Sequence, residues 1–155
     1  MVRRSHTSDR SLWWAERSDL AYGRCIGTEI LLTEAFDHSR VTPLRHSIAA
    51  CAGAAGLSGG KLDDFVVAVN ELLTNAVRHG GGTGRVSIWV ESGSIVCEVA
   101  DRGTGLRHAR PVKAQRPAAD EPGGWGLWLA DELTDAMVLQ TGPDGTTVRI
   151  SARAS

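Results

Sequence analysis

Between residues 62 and 79 apolar side chains return every three or four positions, at Val66, Val69, Leu73, Ala76 and Val77, until Gly80, Gly81 and Gly82 interrupt the run. That period predicts an amphipathic helix over 62–79. A similar recurrence of apolar and small residues predicts an earlier helix over 41–55, with Gly56 placed for a left-handed C-terminal cap. Beyond the glycines the period falls to two. Residues 85–90 and 95–100 alternate on either side of Glu91-Ser92-Gly93-Ser94, which predicts an antiparallel hairpin. Residues 29–33 read as a strand, 127–133 as a short helix, and 137–140 with 147–151 as a last hairpin across 141–145. Residues 106–122 contain Pro111, Pro117 and Pro122 and few large apolar side chains, so they read as a long mobile loop.

Strands joined partly by hairpins and interleaved irregularly with helices predict an α+β fold, a two-layer α/β sandwich. Its sheet is expected to be mixed but mostly antiparallel, with helices on one face. Residues 1–23 are polar and irregular apart from Trp13-Trp14, and read as an extension, disordered in part or lying against a neighbour. Residues 24–155 then form the one domain expected of this length.

Composition narrows the function classes. Seventeen Lys and Arg against 18 Asp and Glu leave no basic excess for gripping nucleic acid, so no direct nucleic-acid partner is expected. No apolar run is long enough to cross a bilayer, and the N-terminus lacks a secretory pattern, so a cytoplasmic protein is expected. Cys25, Cys51 and Cys97 are odd in number and widely spaced, which fits reduced packing thiols better than disulfides or zinc ligation. There is no Walker lysine motif, no dinucleotide fingerprint, no His-Glu-x-x-His pair and no nucleophile elbow.

Three local patterns carry chemistry. Glu71, Asn75 and His79 are spaced by four, a rotation of about 40° per step, and so share a helix face away from the apolar one. Taken alone, this reads first as a solvated polar stripe. Asp101-Arg102-Gly103-Thr104-Gly105 follows a strand: the glycines permit close approach, and an aspartate there can accept a hydrogen bond from a ligand amine. An ordinary Asx turn has the same composition. Gly123-Gly124-Trp125-Gly126 precedes a helix, whose free N–H groups and positive dipole end suit a phosphate, although a glycine hinge would read alike.

Their order is more specific than any one of them. Glu71-x-x-x-Asn75-x-x-x-His79-Gly80, then Asp101-x-Gly103-x-Gly105, then Gly124-x-Gly126-Leu127, then Gly145-Thr146 before a final strand, resembles the GHKL (Bergerat-fold) ATPase superfamily. Within it, the compact length resembles the anti-sigma-factor serine/threonine kinases, over roughly residues 28–152.

The resemblance implies ATP and Mg2+ as cofactors. It makes Asn75 the metal ligand, Glu71 the catalytic group handling the proton of the attacking hydroxyl or water, and Asp101 the acceptor for the adenine amino group, supported through a water by Thr146. Gly103 and Gly105 would hinge a lid over 106–122. Gly124 and Gly126, with Leu127 after them, would bring backbone amides to the phosphates. His79 matches the binding pattern as well, as a ligand neighbour or as a residue that orders the motif. Trp125 is bulkier than the residue at that place in many relatives, and none of Arg107, Arg110 and Arg116 aligns with a catalytic cation.

The implied activity is transfer of the terminal phosphate of ATP to a serine or threonine of an anti-anti-sigma-type partner, with a sigma factor restrained, hence a role in transcription regulation. A homodimer is compatible with it. The alternative is a non-catalytic, nucleotide-gated protein-binding module. A chaperone- or topoisomerase-type ATPase would need a following transducer domain. A histidine kinase would need a two-helix dimerisation unit upstream, which Thr42-Pro43-Leu44-Arg45-His46 only superficially echoes.

Overall fold

A computed structural model describes residues 28–103 and 125–154. Strand β1 (Thr28–Asp37) leads through a 3-10 turn (His38–Arg40) into α1 (Val41–Ala54) and α2 (Gly59–His79). Then come the hairpin of β2 (Thr83–Glu91) and β3 (Ser94–Asp101), helix α3 (Trp125–Leu133), and the hairpin of β4 (Ala136–Gly142) and β5 (Gly145–Arg153). The strands form one sheet in the order β1-β2-β3-β5-β4. All four pairings are antiparallel, so the parallel component of the expected mixed sheet is absent among the described strands.

Alternate strand positions build the core. Val86 and Ile88, Ile95, Cys97 and Val99, and Val148, Ile150 and Ala152 point to one face, where they join Leu44, Ile48 and Ala52 of α1. From α2 come Phe65, Ala68, Val69, Leu72, Leu73 and Ala76. The helices therefore cover one face, as expected of a two-layer α/β sandwich. The apolar stripe of α2 is rotated from the expected one: Phe65, Ala68 and Leu72 are fully covered, whereas Val66 and Val77 are half-buried. Packing against both α1 and α3 selects the stripe, and periodicity alone does not reveal those neighbours.

Ends of elements follow local chemistry. Helix α1 closes with paired bonds, Leu57 N to Ala52 O at 3.0 Å and Gly56 N to Gly53 O at 3.2 Å, and Gly56 takes φ +122° as the left-handed cap. Strand β1 runs beyond residue 33 to Asp37, because its second half pairs with β2 and Phe36 lies over Gly84, where a Cβ would come within 2.8 Å of the ring. Asp37 then caps the 3-10 turn, accepting from the amide and hydroxyl of Ser39 at 2.9 and 2.6 Å. The Ser39 hydroxyl, and next its amide, hold this carboxyl below its ordinary pKa.

The β2–β3 connection is tighter than expected: only Ser92 and Gly93 lie outside the strands, both with positive φ, 50° and 81°. That is the two-residue turn whose twist suits a hairpin and which asparagine-glycine fills best. Ser92→Asn should raise the unfolding free energy by roughly 0.5–1 kcal/mol, since asparagine tolerates left-handed backbone better than serine. A denaturant midpoint that stays put or falls would show that the turn does not limit stability.

Cys97 is fully buried, and burial, helped by the charge of Glu98, pushes its thiol well above the ordinary range. It should stay unlabelled by a thiol-directed alkylating agent at pH 8 until the protein unfolds. Peptide mapping that finds Cys97 modified in native protein would place it outside the core. Cys51 and Cys97 are both free thiols, in keeping with the expected packing role.

Candidate functional site

Asp101 is the last residue of β3 and stands opposite Thr146 of β5. One carboxylate oxygen, Oδ1, accepts two backbone amides: Gly103 N at 2.9 Å, which forms an Asx turn, and Thr146 N at 3.2 Å, which reaches across to the neighbouring strand. The Thr146 hydroxyl is itself paired with that of Thr141 at 2.8 Å. Asp101 is thus fixed in place by one oxygen, while Oδ2 lies toward the end of α2.

Three glycines from separate segments make room for it. A Cβ at Gly80, at the C-terminus of α2, would collide with the Asp101 carboxyl carbon. At Gly145, where φ is +137°, a Cβ would collide with the Asp101 carbonyl oxygen. At Gly103 it would come within 2.7 Å of the Gly80 Cα and 3.0 Å of the His79 carbonyl. Gly103 was expected from its spacing to Asp101. Gly80 and Gly145 stand in the sequence as a helix stop, a turn residue and members of the motif order, but their contact with Asp101 is tertiary.

Farther up α2, Glu71 and Asn75 are half-buried on the stripe that their spacing predicts, while His79 is exposed in the last turn. There His79 and Arg78 put positive charge or hydrogen-bond donors at the negative end of the helix dipole. Helix α3 packs along α2 and brings Gly126 onto Glu71: a Cβ at Gly126 would lie 2.6 Å from Oε1. Leu127 is partly buried against the core, which anchors the first turn of α3 there. With no acidic residue in that turn, its amides remain suited to an anion. The structure therefore gathers Glu71 with Gly126, and Asp101 with Gly103 and Thr146, at two places along one helix. Gly105, Gly124 and the expected lid at 106–122 lie outside the described residues.

A broad depression of about 880 Å³ includes Asp101, Arg102 and Gly145 in its lining, but its floor is Ala35, Arg85, Ala100 and Thr147. Those residues sit on the sheet face away from the helices, and neither Glu71 nor Asn75 lines it. The chemistry-bearing side chains lie with α2 instead. Among the described residues no three His, Cys, Asp or Glu side chains gather as a metal site. No helix there is long and apolar enough to cross a membrane.

Residues 35–152 match the histidine kinase-like ATPase domain family. The chain is 30% identical over 121 residues to a serine-protein kinase RsbW of Bacillus licheniformis, covering 70% of this chain and 74% of that one. It is 27% identical over 105 residues to an anti-sigma F factor of Clostridium acetobutylicum, covering 63% and 73% of the two chains. Among solved structures, the RsbU and RsbW domains of a Mycobacterium tuberculosis protein superpose with a TM-score of 0.58 at 21% identity. That match spans 80% of this chain and about a third (32%) of the longer one, and it bears on the fold alone.

Proposed function

We propose, from the premise that this chain belongs to the histidine kinase-like ATPase domain family and to its RsbW-type serine-protein kinases, that it binds ATP along α2 and phosphorylates a protein partner. The arrangement that carries the reading is the placement of two different chemistries on one helix. Gly80, which abuts Asp101, and Glu71, which abuts Gly126, are nine positions apart, about 13 Å along the axis at the rise of an α-helix. A nucleotide lying along α2 meets an amine acceptor at one end. At the other it meets a carboxylate and the amino end of α3.

In this reading Asp101 takes the adenine amino group and Thr146 supports it. Gly103 and Gly105 shape the turn beside the base, and Gly124, Gly126 and Leu127 present amides to the phosphates. Glu71 receives the proton of the attacking hydroxyl, and His79 orders the end of the motif. Magnesium fits the donor set, since it is held by one or two protein oxygens with nucleotide phosphates and water completing its shell; here the Asn75 carboxamide would hold it. It would supply neutralisation of the phosphate charge.

The acceptor is a serine or threonine of an anti-anti-sigma-type protein, and the restrained partner is a sigma factor. The names of the relatives support a serine acceptor and a sigma-factor partner; the anti-anti-sigma character of the acceptor follows from the motif resemblance. The setting is the cytoplasm, and a homodimer is compatible with it. The test is incubation of the purified chain with ATP labelled at the terminal phosphate and an anti-anti-sigma candidate encoded by an adjacent gene. Label on a partner serine or threonine is expected. Proven ATP binding with label found only as free phosphate, or not transferred at all, would remove the kinase assignment.

A further inference from the structure

Strand register continues the row of Asp101 outward. Asp101 stands opposite Thr146, and Thr146 opposite Thr141 of the edge strand β4. All three lie on the helix-covered face: Asp101 is two positions beyond the buried Val99, Thr146 two before the buried Val148, and Thr141 two beyond Leu139, which packs on the core. The two sides of Asp101 differ in kind. Toward β2, Gly84 is one step beyond the Arg85–Ala100 pair, and the Phe36 ring, 4% exposed, fills the space that a side chain there would need. Toward β5 stand two hydroxyls, Thr146 Oγ1 and Thr141 Oγ1, 2.8 Å apart.

We propose, on the reading that Asp101 receives the adenine amino group, that Thr141 is a positioning residue for the base: its hydroxyl holds that of Thr146 so that the Thr146 proton points at a ring nitrogen. Adenine carries N1 and N7 on either side of its amino group, and both are hydrogen-bond acceptors. A base whose amine meets Asp101 therefore turns one of these acceptors toward the polar side, where a donor is needed. A rotating hydroxyl offers either its one proton or a lone pair. Thr146 is 5% exposed and its amide is committed to Asp101 Oδ1 at 3.2 Å, so its side chain is held beside the carboxylate and only the direction of the proton is left to set.

Thr141 sets it. A bound ring nitrogen takes the Thr146 proton, directly or through a water, and the bond between the two hydroxyls is then made with the Thr141 proton. Thr141 stands one strand farther out than Thr146, about 4.8 Å by sheet spacing, so it acts through Thr146 and not on the base. Valine at this position keeps the branched shape but has no proton to give, and the Thr146 hydroxyl is released to rotate. A hydroxyl pair that merely clipped β4 to β5 would behave differently. Its loss would weaken every nucleotide alike, whereas loss of orientation weakens only nucleotides that carry the ring nitrogen.

The test compares ATP with 1-deaza-ATP and 7-deaza-ATP, each lacking one ring nitrogen, by titration calorimetry on the full chain. The parent is expected to bind one of the two analogues about five- to tenfold less tightly than ATP, the worth of a neutral hydrogen bond. In Thr141→Val that ratio should fall to within about twofold of unity, and Thr141→Ser, which keeps the hydroxyl, should restore it. A ratio in Thr141→Val equal to that of the parent overturns the proposal, even where both affinities fall, because Thr141 is then a clip alone. A parent that binds ATP and both analogues equally overturns it as well and leaves the ATP site standing. A parent that binds no ATP removes the nucleotide reading and the role of Thr141 with it. If Thr141→Val does not fold, Thr141→Ala is read by the same ratio.

Discussion

Asp101→Asn should bind ATP about ten- to hundredfold less tightly than the parent while unfolding at nearly the same denaturant concentration, because a hydrogen bond to a charged group is worth roughly 1.5–3 kcal/mol. The two carboxylate oxygens have separate duties. Oδ1 accepts the amides of Gly103 and Thr146, and an asparagine carbonyl oxygen can take over both bonds. Those two N–H groups then force the asparagine NH₂ to the other position, where an acceptor becomes a donor that would face the adenine amine proposed to bind there. Asp101→Ala differs, since it leaves two backbone amides without their acceptor and should lose about 1–3 kcal/mol of stability as well as affinity. Titration calorimetry and denaturation run in parallel separate the cases. Equal ATP affinity in Asp101→Asn and parent would reduce Asp101 to a brace between β3, β5 and the turn after β3.

The part of this site that is legible in the sequence is the part written at short range. Spacing by four puts Glu71 and Asn75 on one stripe of α2, and Asp101-x-Gly103 encodes its own Asx turn. Gly80 and Gly145 are different. Each is required because Asp101 approaches it from a strand far away in the chain, and a glycine does not announce which backbone it must admit. The second half of β1 was missed for a related reason: Ala35 and Phe36 become strand only by pairing with Arg85 and Gly84. Trp89 did carry a signal. It interrupts the alternation of β2 by standing between Ile88 and Val90, a large apolar residue at an outward position, and the structure buries it. A break in period two marks a strand covered on both faces as readily as an irregular one.

Glu71→Gln should still bind ATP with magnesium and its partner protein, yet phosphorylate that partner roughly 10²–10⁴-fold more slowly, the usual contribution of a positioned general base. Glutamine is chosen for its shape. Glu71 Oε1 lies 2.6 Å from where a Cβ of Gly126 would be, so the first turn of α3 rests against this side chain. An amide of the same size keeps that turn where it is and removes only the basic oxygen, whereas a shorter side chain would also release the helix. Asn75→Ala should fail in another way, by lowering magnesium-dependent nucleotide binding itself, because the metal would lose the protein oxygen proposed to hold it while the Glu71 carboxylate remains. Binding constants with and without magnesium, set beside single-turnover transfer rates, distinguish a lost base from a lost metal ligand. If Glu71→Gln transfers phosphate as fast as a demonstrably active parent, the base lies elsewhere. If the parent holds nucleotide but phosphorylates no partner, and Glu71→Gln is indistinguishable from it, the same cleft serves a nucleotide-gated binding module. Glu71 is then a structural support for α3 and has no part in phosphoryl transfer.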